Sequence, residues 1–126
     1  MRVLSELEPK NVFSFFEDIC NIPHPSYKEE KISNYLVDFA KSRNLEYYQD
    51  SLYNVIIIKE ASEGYENVEP IILQGHMDMV CEKTPDCNKD MNEEGLDLKL
   101  MVISYLRREL HLVVMTVSQL LTLLQY

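Results

Sequence analysis

Gly75-His76-Met77-Asp78 is the local pattern in this chain with the most chemistry in it. It closes an apolar run, IILQGHMDMV, that reads as a strand over residues 71–80. At such a strand end a histidine projects from the sheet edge where α/β folds place their sites. In extended backbone Asp78, two residues on, points to the same side as His76. Its carboxylate can accept one imidazole N–H, fix the tautomer and make His76 a better metal ligand. Spacing alone leaves a second reading open, a solvated strand terminus with a local His–Asp hydrogen bond.

The other reactive side chains offer less. His24 lies between two prolines, where a surface or turn role outweighs catalysis. His111 has only Glu109 near it in sequence and reads as non-functional. Cys20, Cys81 and Cys87 belong to no cysteine-centred motif or zinc-ribbon spacing and read as free thiols. Cys20 fits the core face of a helix, and the other two fall near or in a loop. The adjacent pairs Glu29/Glu30 and Glu93/Glu94 read as solvated faces. Three glycines, Gly64, Gly75 and Gly95, make no phosphate-binding loop.

The elements that must position His76 and Asp78 follow from periodicity. Val12, Phe13, Phe16, Ile19 and Cys20 fall at helical spacing, with Pro9 suited to a first turn. IPHPS then breaks the chain. Ser26 and Glu29 form the S-x-x-E pattern of a capping box and predict a second helix, in which Ile32, Tyr35, Leu36, Phe39 and Ala40 make one stripe. Asn44 is its expected terminator. LEYYQ (45–49) and NVIIIK (54–59) read as strands, the second buried on both faces because it does not alternate. Residues 81–98 read as an acidic surface loop. The expected fold class is α/β, two helices followed by about three strands in an incomplete sheet.

Composition excludes several classes. The chain has 126 residues, 12 Lys+Arg against 21 Asp+Glu, and a formal net charge of -9, so no basic stripe exists to neutralise nucleic-acid phosphates. Three cysteines and no apolar leader argue for a cytoplasmic protein rather than a disulfide-framed secreted one. The acidic balance stops near Leu100: residues 101–126 carry two basic and one acidic side chain and are dense in Leu, Val and Met. Their longest apolar stretch is too short for a bilayer, which takes about 20 predominantly apolar residues. A helix is expected there if the tail is ordered.

NVFSFFEDICNIPHPSYKEEKISNYLVDFA, LEYYQDSLYNVIIIKEA and PIILQGHMDMVCEK resemble the start of the aminoacyl-histidine dipeptidases, or Xaa-His dipeptidases, cytosolic carnosinase-like members of the di-zinc exopeptidase superfamily. The resemblance runs from about Leu4 to Leu100. It implies that residues 1–100 are the N-terminal part of a metallopeptidase catalytic domain acting on Xaa-His dipeptides with two zinc or other divalent ions. It also implies that His76 is a zinc ligand and that Asp78 orients His76 and supports catalysis. The family's bridging Asp, Glu-Glu pair, further Asp and distant His have no counterpart here. The expectation is therefore an inactive fragment that binds no metal tightly, has no nucleic-acid or membrane partner and is prone to self-association. The alternative is a small non-enzymatic α/β binding or assembly protein.

Residues 101–126 depart from the family's D-G-D-x-x-x-A-K-G-T-T-L-G-G-D-D-G-I-A-V-A. Read one base earlier, with permitted codons, the tail yields D-G-D-F-L-S-A-K-G-T-T-L-G-G-D-D-G-I-A-V-A-Y-A-L-A-I. A one-base shift near Leu100 is therefore expected.

Overall fold

The computed structural model describes residues 2–99. Helix α1 spans Lys10–Asn21 and follows Pro9, whose extended backbone (φ -73, ψ 128) sets the chain direction just ahead of the first turn. It buries Ile19 and Cys20, with Phe15 and Phe16 half-buried beside them. Glu17, on the same helix, is also buried: its carboxylate accepts the backbone N–H groups of Val3 and Leu4, which fastens the N-terminal segment to α1.

Helix α2 spans Glu30–Ser42 and buries Ile32, Leu36, Val37 and Ala40. Ile19, Ile32 and Leu36 form the centre of the core, ringed by Phe15, Phe16, Ile22, Tyr35, Phe39, Val55 and Met77. The rings of Phe15 and Phe39 meet edge to face at 5.6 Å, and the Arg43 guanidinium lies 3.7 Å from the Phe39 centroid. Asn44 ends the helix as its position predicts. It takes a left-handed conformation (φ 54), and the N–H groups of Asn44 and Leu45 donate to Lys41 and Ala40 carbonyls at 3.1 and 3.0 Å. These bonds satisfy carbonyls that the helix itself leaves free.

The start of α2 departs from expectation. Ser26 and Glu29 do not form a capping box; Glu29 takes the N-cap position, with helical backbone and no side-chain cap. The Ser26 hydroxyl is committed elsewhere, to Asp78.

Strands β1 (Glu46–Gln49) and β2 (Val55–Ile58) pair antiparallel, Glu46 opposite Ile58 and Gln49 opposite Val55. Asp50 organises the turn, accepting from the backbone N–H groups of Leu52 and Asn54 at 2.8 and 2.9 Å. Buried Ser33 ties the hairpin to α2 by donating to the Tyr53 carbonyl and accepting from Gln49, both at 2.7 Å. The strand β2 alternates in burial, contrary to the two-sided burial its apolar run suggested. Only one sheet face is covered by α2, so Ile56 and Ile58 turn outward.

Residues 71–80 are not a third strand. Among the described residues no neighbouring strand offers a ladder, and the segment makes one parallel bridge, Pro25 with Met79. Ile71 and Ile72 are 84% and 89% exposed. Among the described residues the sheet thus has two strands instead of about three, within the expected α/β class. Residues 81–98 contain no helix or strand and are largely exposed, as expected of a loop, but they are docked: the Leu96 N–H donates to the Cys20 carbonyl at 2.7 Å. No described helix is long and apolar enough to cross a membrane. The tail, the expected boundary at Leu100 and His111 lie outside the described residues.

Candidate functional site

Two side chains of the 71–80 segment anchor it, Met79 buried and Met77 half-buried against the core. Alternation in extended backbone then turns His76 and Asp78 the other way. Their contact is present: His76 Nδ1 lies 2.9 Å from Asp78 Oδ1. Hydrogen bonds from Ser26 first, and from His76 second, hold the Asp78 carboxyl below its ordinary range, so it is ionised at neutral pH and only accepts. His76 Nδ1 must therefore donate. That leaves the Nε2 lone pair of a half-exposed ring available to a ligand.

Ser26 escaped sequence reasoning because its S-x-x-E context explained it locally. Its hydroxyl donates to Asp78 Oδ2 at 2.6 Å across 52 residues. Glu29 does reach back to a backbone N–H, that of Tyr27 at 2.7 Å, while Tyr27 sits in left-handed backbone (φ 69). The one available signal was arithmetic of acceptors: a carboxylate that gives one oxygen to a histidine has another to satisfy.

His24 is not a surface residue. It is 3% exposed, its Nδ1–H donates to the Ile22 carbonyl, and its own carbonyl accepts the Met79 N–H at 2.9 Å. Burial lowers its pKa, opposed in part by the Ile22 bond and by the charge of Asp78. A neutral ring locked into the IPHPS turn is the result. The turn role anticipated for it holds, with the ring inside rather than outside.

The thiols are free, and two are poorly suited to nucleophilic work. Burial, reinforced by Glu17, pushes Cys20 up to about 12, and burial and Asp90 raise Cys81. For metal chemistry the fit is incomplete. Among the described residues no group of three or more His, Cys, Asp or Glu side chains could hold an ion. His76 supplies one nitrogen with an orienting carboxylate, whereas a catalytic zinc takes about three protein ligands.

No model of a known protein family matches the chain. Over 96 residues, 76% of its length, it is 40% identical to the cytosol non-specific dipeptidase of Escherichia coli (strain K12), covering 20% of that protein. Its structure superposes on the crystal structure of aminoacylhistidine dipeptidase from Vibrio alginolyticus with a TM-score of 0.73 and 35% identity. That match takes in 79% of this chain and 20% of the other. The chain is similar to these dipeptidases in both sequence and fold, and it spans about one fifth of the length of either relative.

Proposed function

We propose that this chain carries one corner of a metal-dependent dipeptidase site, with dipeptides of the Xaa-His type as the substrates of the whole protein and the cytosol as its compartment. In this reading His76 is a metal ligand through Nε2, and Asp78 fixes its tautomer. The observation that carries it is the 2.9 Å His76–Asp78 bond, which leaves Nε2 free on an exposed edge. A bound zinc would polarise the scissile carbonyl and acidify a water. The described residues do not complete such a centre. The 126-residue chain by itself is accordingly inactive.

Titration with zinc, after Cys81 and Cys87 are alkylated, tests the assignment. His76→Ala is expected to weaken binding about tenfold or more, since one nitrogen donor is lost. Equal affinity in both proteins would remove His76 from the metal reading. Release of histidine from an Xaa-His dipeptide by the zinc-loaded chain, above a buffer control, would overturn the inactivity.

Residues 101–126 belong, on the same reading, to a shifted frame that displaced the segment carrying further metal ligands. The agreement of the entire shifted tail with the family pattern supports this, as does the loss of acidic character after Leu100. The nucleotide sequence is expected to continue a dipeptidase-like frame beyond the codon for Tyr126, one base out of register. A lack of any such continuation would refute the shift.

A further inference from the structure

The contacts around Asp78 divide its two oxygens between two donors from distant parts of the chain. Oδ1 faces His76 Nδ1 at 2.9 Å and Oδ2 faces the Ser26 hydroxyl at 2.6 Å. With Oδ2 alone in water, the carboxylate could rotate about its terminal torsion, which has a broad profile, and exchange oxygens at His76. A second fixed donor removes that freedom. We propose that Ser26 is a positioning residue for His76, acting through Asp78: its hydroxyl holds Oδ2 and thereby commits Oδ1 to the Nδ1–H tautomer of the imidazole.

Ser26 is itself held in place. The Lys28 N–H donates to the Pro25 carbonyl at 2.9 Å, closing the turn around Ser26. Pro25 bridges to Met79, and the Met79 N–H donates to the His24 carbonyl at 2.9 Å. The IPHPS turn therefore grips the His76–Met79 segment at two points, the backbone of Met79 and the side chain of Asp78.

The consequence for a metal rests on the proposed role of His76, but the hydrogen-bond geometry does not. The test separates the two. Long-range proton–nitrogen correlation of the histidine rings, recorded on the whole chain near pH 8 where imidazoles are largely neutral, reads the His76 tautomer without metal. The chain as it stands is expected to show the Nδ1–H form. Ser26→Ala is expected to shift the ring towards a tautomer mixture and to weaken zinc binding by roughly tenfold, the scale typical of lost partners behind a ligand. Ser26→Thr should restore both, and Ser26→Val, of matching shape without the hydroxyl, should not. Should the Ala variant fail to fold, the Thr and Val pair still isolates the hydroxyl.

An unchanged tautomer in a folded Ala or Val variant would overturn the proposal. A tautomer shift combined with no effect of His76→Ala on zinc affinity would support Ser26 as the positioning residue and overturn the metal assignment alone.

Discussion

Ile32→Ala is expected to abolish cooperative folding of the chain and to expose the Cys20 thiol. Ile32 is fully buried, and with Ile19, Cys20 and Ser33 it accounts for the most completely enclosed side chains. Truncating a buried isoleucine costs about 2–5 kcal/mol. Native domains are stable by only about 5–15 kcal/mol, so the loss is a large fraction of the whole. Thiol labelling reads the outcome directly. In the native chain Cys81 and Cys87, both partly exposed, are expected to react, while Cys20 is shielded by burial and by a pKa near 12. In Ile32→Ala all three should react at similar rates, and the thermal transition should flatten. Persistence of a sharp transition with two reactive thiols would show that the core collapses around the gap.

The same thiol makes the fold sensitive to alkali. Cys20 keeps its proton in the folded chain up to about 12, whereas an unfolded thiol releases it near 9.0. Between those values the folded state binds more protons, so stability falls as pH rises through that window and is unaffected by Cys20 below it.

How far the sequence carried the structure depended on the range of each contact. The α2 stripe was legible because Ile32, Leu36 and Ala40 meet their environment through helical spacing alone, and Asn44 stops the helix by its own conformation. His76 and Asp78 were legible as a pair because extended backbone puts alternate residues on one side, whatever surrounds them. Residues 71–80 misled for the converse reason: an apolar run favours extension, but a strand also needs neighbours to bond, and the described residues provide only the Pro25–Met79 bridge. Ser26 misled most. Its local pattern is that of a helix cap, and nothing in it reveals a carboxylate 52 residues away that accepts the hydroxyl proton. The buried state of His24 was hidden in the same way, in a carbonyl contact to Met79.

Gly95→Ala is expected to unseat the 81–98 loop from α1. A Cβ at this position would lie 2.5 Å from the Asn21 carbonyl oxygen and 2.7 Å from its carbonyl carbon and Cα, all backbone atoms at the end of a helix. No side chain can swing aside to make room, so the chain must retreat. Retreat breaks the 2.7 Å bond from the Leu96 N–H to the Cys20 carbonyl, which otherwise satisfies a last-turn acceptor that α1 leaves free. It also pulls Gly95 away from Lys89, whose ammonium donates to the Gly95 carbonyl at 2.7 Å. Overpacking of this kind costs about 1–3 kcal/mol. Amide exchange at Leu96 should accelerate by roughly ten- to a hundredfold, since each 1.4 kcal/mol is a factor of ten. Amides in the middle of α2 should keep their protection. Gly64→Ala is the control: Gly64 needs its glycine for a left-handed turn (φ +87) in open space, so its loss strains an exposed turn and leaves Leu96 protected. Unchanged exchange at Leu96 in Gly95→Ala would mean the helix end yields instead. That end leads through Ile22 into the IPHPS turn, so in that case the displacement should appear at Ser26 and in the His76 tautomer.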